Sequence, residues 1–342
     1  MFSLFMRSYC PKLRLALSLA ISLLLAAPAW PATTETFVPT NINYPGSTST
    51  AARGINNHGE IVGTYFCAAA CVNPSNGETS TAGTHSFLLQ GGAYTRIDVP
   101  GGTATVARGI GAQGIIVGHY NVGAVTHGFA CASPCQQQSD FVNPIDVPAE
   151  LFDHPTSPLR DTLVVRISPR GDLVGCFHED NLTMTTMHGW LLHNGTFTVL
   201  TTPHGADDNS SHDPDTMNNG IASHGKIVGF YLSSGVSYVA DRRNRIVTTF
   251  KFPGDLFTLA WDVNAEGDIV GMYLDNQSKG HGFLRSEDAE YRSLDVQDAS
   301  STTIFGINGR RQIVGQYTDS AGVHGFVYRL SQEDRDDNEG DN

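Results

Sequence analysis

The sequence is short of charge and shortest of positive charge: only 16% of its 342 residues are Asp, Glu, Lys or Arg, and 21 Lys+Arg face 34 Asp+Glu, a formal net charge of −13. That sign excludes a nucleic-acid partner, whose phosphates call for a surplus of Lys and Arg. Beyond residue 30 there is no apolar run of the ~20 residues that a spanning helix needs, which excludes a polytopic membrane protein. No amphipathic helical stretch follows the N-terminal segment either. Phosphate loops, dinucleotide fingerprints, Gly-x-Ser-x-Gly and His-Glu-x-x-His are all missing, so serine-hydrolase, kinase and nicotinamide chemistries have no support. What the chain does hold is glycine, 36 residues of it, in a sequence 40% apolar. Such a composition belongs to a folded, loop-rich protein with enough chain for a large core.

Residues 1–29 read as a signal peptide. Arg7, Lys12 and Arg14 form a basic start, the run from Leu13 to Ala27 is apolar apart from Arg14, Ser18 and Ser22, and Ala27-Pro28-Ala29 offers a small-x-small cleavage site. The expected location is therefore the periplasm or the extracellular space. Cleavage leaves 18 Lys+Arg against 34 Asp+Glu, a net charge of −16. Residues 331–342 form an acidic tail, with six acids and one Arg between Glu333 and Asp341, too charged to fold and suited to a solvated, disordered role. In an oxidising compartment Cys67 with Cys71, and Cys131 with Cys135, read as local disulfides rather than zinc ligands. Cys10 leaves with the signal, and Cys176, inside the apolar run Leu173 to Phe177, reads as a buried free thiol.

Internal repetition dominates residues 33–330. The segment Gly54-Ile55-Asn56-Asn57-His58-Gly59-Glu60-Ile61-Val62-Gly63-Thr64-Tyr65 returns as residues 109–120, 166–177, 220–231, 262–273 and 306–317. After each copy comes a His-x-aromatic triplet: His85-Ser86-Phe87, His127-Gly128-Phe129, His188-Gly189-Trp190, His281-Gly282-Phe283 and His324-Gly325-Phe326, with Tyr238-Val239-Ala240 expected to occupy that register in the fourth copy. A β-type run ending near Pro-Gly follows, as in Tyr94 to Gly101. The motif glycines Gly63, Gly118, Gly175, Gly229, Gly271 and Gly315 lie 42 to 57 residues apart, the length of a propeller blade and more than a leucine-rich repeat.

Each copy contains four short β segments, the first two joined by a tight hairpin with Gly at a left-handed position. Ser168-Pro169-Arg170-Gly171 fits that turn, since Pro presets the required φ. Arg311 takes the Gly position in the sixth copy, so a strained or rearranged hairpin is expected there. Four strands per copy, six times, give an all-β, six-bladed β-propeller. The sixth copy ends at Leu330 without its fourth strand, while the chain supplies an orphan strand, Phe37 to Tyr44, and Pro45 precedes Gly54 by the same nine residues that separate Pro100 from Gly109. The N-terminal strand is thus expected to complete the last blade and close the ring, which a β-solenoid would not require.

The run Gly-Ile-Asn-x-x-Gly-x-Ile-Val-Gly-x-Tyr followed by His-x-Phe resembles the HAF repeat of bacterial proteins, over roughly Phe37 to Leu330. The resemblance implies secretion and a repeat domain, and carries no catalytic residues. The triplets depart from it in holding Gly, Ser or Trp, and in Tyr238 standing for one His.

A histidine recurring in five copies points to a hydrogen bond within each blade, so a functional site is sought where the copies differ. Loops joining strands two to three, and strand four to the next blade, emerge on one face. There the sequence gathers Asp153, His154, Arg160 and Asp161, then His178, Glu179 and Asp180, then His204 to Asp215. Ligand-binding candidates are His154, His178, Glu179, His204, Asp208 and His212, together with Arg53 and Arg108, which with Arg166 and Trp261 lie on innermost first strands and can meet an anion. His178, His204, His212, Asp207, Asp213 and Asp215 have the chemistry to hold a divalent metal, although the spacing fits a calcium loop poorly. Two functions fit: a secreted, monomeric binding or scaffold propeller whose loop-rich face holds a glycan, peptide or protein, and an extracellular polysaccharide hydrolase or lyase using the His/Asp cluster.

Overall fold

The computed structural model describes residues 32–152, 160–178, 187–200 and 215–331. These are all-β, with two single-turn 3-10 segments and no α-helix among the described residues. Each sequence repeat forms one antiparallel four-stranded sheet. Repeat 1 comprises Ser49–Ile55, Ile61–Cys67, Gly83–Gln90 and Ala93–Ile97; repeat 2 comprises Thr103–Ile110, Ile115–Val122, Val125–Ala132 and Phe141–Ile145. Repeat 3 has Asp161–Ile167, Leu173–His178, Met187–His193 and Thr196–Val199, and repeat 4 has Thr216–Ile221, Ile227–Tyr231, Val236–Ala240 and Ile246–Phe250. Phe257–Val263, Ile269–Leu274, Gly280–Arg285 and Tyr291–Val296 make repeat 5. Repeat 6 supplies Ser301–Ile307, Gln312–Asp319 and Gly322–Arg329, and its fourth strand is Thr40–Ile42, antiparallel to the third with Asn41 opposite Phe326.

The hairpin between strands one and two is fixed by an Asx turn. Asn56 Oδ1 accepts the N–H groups of His58 and Glu60 at 3.0 and 3.1 Å, and Gly59, at φ +82°, donates to the Asn56 carbonyl. Ser168 Oγ does the same work in repeat 3, and Asn308 in repeat 6. The hairpin of repeat 6 is not rearranged: Arg311 adopts φ +56° and its N–H still reaches the Asn308 carbonyl at 3.1 Å. The motif glycine of strand two is dictated by crowding. A Cβ at Gly63 would lie 2.1 Å from the Ala51 carbonyl oxygen and 2.8 Å from the Phe87 ring, and Gly315 is enclosed the same way by Thr303 and Phe326. The aromatic residue of each triplet therefore lies across the glycine of its neighbouring strand.

That pairing corrects the fourth repeat. Gly229 faces Tyr238, so Tyr238 is the aromatic residue and the triplet is Val236-Ser237-Tyr238, with Val236 in the histidine position opposite Tyr231. In repeats 1, 2 and 5 the histidine pairs with the fourth strand's end: His85 Nδ1 with Asp98 (3.0 Å), His127 Nδ1 with Asp146 (2.8 Å) and His281 Nδ1 with Asp295 (2.8 Å). In repeat 6 the partner of His324 Nδ1 is Asn43, 3.3 Å away and just past the N-terminal strand. Repeat 4 lacks both halves of this pair, because Val236 stands for the histidine and Lys251 follows Phe250 where repeats 1, 2 and 5 carry Asp.

A second recurring device was hidden in the sequence. Thr50, Thr105, Thr162, Thr216, Thr258 and Thr302 are all buried, each four residues before the first residue of the repeated segment. Five of them accept an N–H from the chain arriving from the preceding sheet: Tyr44, Val99, Val147, Phe252 and Val296 donate at 2.8 to 3.1 Å. The core lies between facing sheets. Val62, Leu88 and Ile97 of repeat 1 meet Ala107, Ile116 and Phe129 of repeat 2, and Ile42, Tyr44 and Val314 of the sixth sheet meet Ala52, Ile61 and Phe87 of the first in the same manner.

The expected strand from Phe37 to Tyr44 is two strands. Thr33–Phe37 adds to the fifth sheet, parallel to Tyr291–Val296, and Thr40–Ile42 completes the sixth. They part at Val38-Pro39, where Pro has no N–H to give a ladder. Cys67–Cys71 and Cys131–Cys135 are disulfides, and Cys176 is free and buried. No helix among the described residues is long and apolar enough to cross a membrane. The segment expected to be a signal peptide and the acidic tail from residue 332 lie outside the described residues.

Candidate functional site

The first strands of all six repeats converge on one axis, and a single guanidinium marks it. Arg166 Nη1 donates to the carbonyls of Arg53 (3.1 Å) and Arg108 (2.6 Å), and its Nη2 donates to those of Phe305 (2.5 Å) and Trp261 (3.5 Å), so one side chain from repeat 3 ties the first strands of four others. Its Nε lies 3.2 Å from Asp262 Oδ1, both side chains only 8% exposed. Asp262 in turn accepts the Ile307 N–H. Sequence makes room for this plug: the position of Arg166 and Asp262 is Gly54, Gly109, Gly220 and Gly306 in the other repeats, and a Cβ on Gly54 would meet the Arg166 guanidinium at 3.1 Å. Below the plug, the six hairpins surround a well of about 100 Å³.

One residue before the plug each first strand carries a bulge, at Arg53, Arg108, Val165, Asn219, Trp261 and Phe305. These six, with the residue after each motif glycine, face the axis on the loop side. Arg53 Nε donates to Thr64 Oγ1 at 3.2 Å, and its guanidinium sits 4.8 Å over the Phe305 ring. Trp261 meets Phe305 edge-on at 5.3 Å and Phe230 at 5.5 Å, so an aromatic arc runs from repeat 4 round to Arg53. Val106, Leu163, Leu259, Met272 and Gln316 remain half-exposed on these inner strands, which leaves the channel open to solvent above the arginines.

Among the described residues the charge in this channel has no carboxylate to compensate it. Arg53 and Arg108 have no carboxylate within ion-pair distance among the described residues, and Arg108 Nε, His119 Nδ1 and Trp261 Nε1 are buried without a hydrogen-bond partner there. Burial, followed by the charges of Arg108 and Arg166, pushes Arg53 down to about 9; burial pushes Arg108 down to about 10, with Arg166 adding to it. His119 is held well below the usual imidazole range by burial and then by Arg108, Arg53 and His178. Both arginines remain cations at neutral pH, and each is part-exposed, within reach of water or of an anion that enters the channel.

The sequence candidates divide accordingly. Arg53, Arg108 and His178 come together, His178 contributing from the end of strand two of repeat 3, its imidazole pushed down by burial and opposed by Asp161. Arg166 separates from them as the structural plug. Asp215 is committed to its own turn, where its carboxylate accepts the Ser233 N–H and its carbonyl the Leu232 N–H. His154, Glu179, His204, Asp207, Asp208, His212 and Asp213 lie outside the described residues. Among the described residues no three His, Cys, Asp or Glu side chains gather as a metal site. Cys176, 3.9 Å from His178 Nε2, is pushed up to about 12 by burial and is no nucleophile. His119, Phe230 and Phe305 were missed. The signal for His119 and Phe230 was available: after the motif glycine come Thr64, His119, Cys176, Phe230, Met272 and Gln316, where no two copies agree within an otherwise repeated strand.

No protein-family profile matches the chain and no curated protein is similar in sequence. Among solved structures it is similar to a calcium-binding regucalcin from Agrobacterium tumefaciens (12% identity, TM-score 0.49, covering 87% of this chain and 97% of that one). It is also similar to an inactive variant of virginiamycin B lyase from Staphylococcus aureus with quinupristin (12%, 0.46, 85% and 98%). A third is an Aleuria aurantia lectin variant with a fucosyl-GlcNAc disaccharide (11%, 0.44, 86% and 95%). None of these three reaches a TM-score of 0.5, and neither a fold nor a residue role is taken from them.

Proposed function

We propose that this chain is a secreted, HAF-repeat-type six-bladed β-propeller, closed by its N-terminal strand, which binds an anionic group of an extracellular glycan, peptide or protein in the loop-side channel. The observation that carries the binding reading is the pair Arg53 and Arg108: two cations deep in an open channel, unanswered by any described carboxylate, beside an aromatic arc. Guanidinium groups suit planar carboxylate, sulfate and phosphate groups, and an aromatic wall suits the body that carries them. The same positive field opposes a divalent cation on His178, so anion binding is favoured over the metal-dependent hydrolase or lyase.

Ring closure is supported by the N-terminal contacts: Thr40–Ile42 on the sixth sheet, Asn43 on His324, and Tyr44 N–H on Thr50. Deleting residues 33–46 strips those contacts and bares an edge, so the deletion variant is expected to aggregate or lose cooperative melting; an unchanged melting temperature would contradict closure. The binding reading is tested with a glycan array of matched neutral and acidic glycans, probed with the protein lacking residues 1–29. Retention of acidic glycans by the parent, and its weakening in Arg53→Met/Arg108→Met, is expected. Equal retention of neutral glycans, or stoichiometric metal in the purified protein that disappears with His178→Ala, would move the assignment to the enzyme.

A further inference from the structure

A second cationic site lies at the opposite end of the sheets, where the hairpins of repeats 3 and 4 meet. A groove of about 220 Å³ is lined there by Arg170 from the first hairpin of repeat 3, His193 from its second, His224 from the first hairpin of repeat 4, and Arg242 and Arg243 from its second. Arg170, Arg242 and Arg243 are exposed, and none of them makes an ion pair among the described residues. Two nearby carboxylates are already used. Asp172, the one acid lining the groove, is held by His193 Nδ1 at 2.7 Å, and Asp241 is taken by Arg245 (2.7 Å) and by the N–H groups of Arg243 and Arg245. A neighbouring cavity of about 290 Å³, which shares His224, is lined by Lys226, Glu266 and Glu287, with Lys226 paired to Glu287.

Three unpaired arginines around one groove stand out in a chain of net charge −13. The corresponding hairpins of repeat 5 carry Glu266, Glu287 and Asp288 instead, so the cations are not a property of the repeat. We infer that the groove between repeats 3 and 4 is a binding site for an anionic polysaccharide, whose sulfate or carboxylate groups pair with Arg170, Arg242 and Arg243. A concave surface of this volume takes a sugar unit rather than a lone ion, and guanidinium forks bind oxyanions bidentately. A membrane is the poorer occupant: none of the large exposed apolar residues, such as Phe66, Val247 or Leu256, lines the groove, which leaves nothing to insert into a bilayer. The site is separate from the channel and does not depend on the function proposed for it.

The test is retention of Arg53→Met/Arg108→Met protein lacking residues 1–29, the parent for this comparison so that the channel does not contribute, on immobilised dextran sulfate and on polygalacturonate, with neutral dextran and phosphatidylglycerol vesicles alongside. Binding to one or both acidic polymers is expected, which identifies sulfate or carboxylate as the group read, and it should weaken as salt rises. Arg170→Gln/Arg242→Gln/Arg243→Gln should weaken it about 10-fold or more, since three charge-assisted contacts are removed. Lys251→Gln/Lys279→Gln/Arg329→Gln, which removes the same charge from exposed positions elsewhere, should stay within about twofold, because only general steering is lost. The inference is overturned if the groove variant binds like the parent, if the control variant loses as much, if neutral dextran is held equally, or if vesicles alone are bound.

Discussion

Arg166 and the pair Arg53 with Arg108 are arginines of the same inner strands, one residue apart in the repeat, yet they have opposite uses. Arg166 is answered on every side, by Asp262 and by four backbone carbonyls from four other repeats. Arg53 has one hydroxyl and a ring face, and Arg108 has no side-chain hydrogen bond among the described residues. A buried charge that is paired belongs to the architecture, and a part-exposed one with no carboxylate among the described residues is free to meet an anion. Residue type and repeat position alone would have grouped the three together.

The largest effect expected from this contrast is on stability at the plug. Arg166→Met leaves Asp262 buried without its partner and should cost about 3–5 kcal/mol in denaturant unfolding, whereas Arg166→Met/Asp262→Leu should recover part of that loss. A cost no greater than that of an exposed arginine would remove the structural role. Next comes the repeated histidine. His127→Ala leaves Asp146 unpaired on the fourth strand and should cost about 1–2 kcal/mol, with channel binding retained in the folded fraction. Loss of binding at parental stability would place the histidine ladder in the site instead.

Arg53→Met/Arg108→Met should behave in the reverse way. Stability should stay within about 1 kcal/mol of the parent or rise, since no paired charge is broken and two uncompensated ones are removed, while anion affinity collapses. The neighbouring imidazoles add a pH signature. His119 and His178 are both held below the usual range by burial, so the unfolded chain takes up protons first as the pH falls. Their contribution is fully present above about pH 6.5 and is lost progressively below it; His119→Gln should flatten that acid limb, and an unchanged limb would show that His119 is not held neutral. The smallest effect concerns the repeat without a ladder. Val236→His/Lys251→Asp rebuilds the missing pair and is expected to gain about 0.5–1 kcal/mol at most, measured as a shift in urea midpoint.

Most of the architecture was legible because repetition averages out local ambiguity: one hairpin reading, confirmed by Pro169, served six sheets. The errors arose where a copy departs from the rest. Tyr238 was placed two residues out of register because an aromatic residue was matched to histidine by position in the string, whereas Gly229 shows which residue crosses it. Arg311 was expected to distort its hairpin, but the Asn308 side chain holds the turn at the cost of a left-handed arginine. Thr50 and its five equivalents recur without exception and were passed over, since a lone threonine in a strand carries no motif. The site was half legible: variation among copies was sought in loops, where it is common, and not at the single variable position after the motif glycine, where it points into the channel.

The most direct test of the account is thermal unfolding with increasing trigalacturonate, carried out in the Arg170→Gln/Arg242→Gln/Arg243→Gln background so that the hairpin groove does not contribute. With Arg53 and Arg108 present, ligand at about 100 times its Kd should stabilise the fold by about 2.7 kcal/mol, and with Arg53→Met/Arg108→Met the melting temperature should not move. Equal stabilisation of both proteins, or none of either, would contradict the assignment of the unpaired arginines as the anion site.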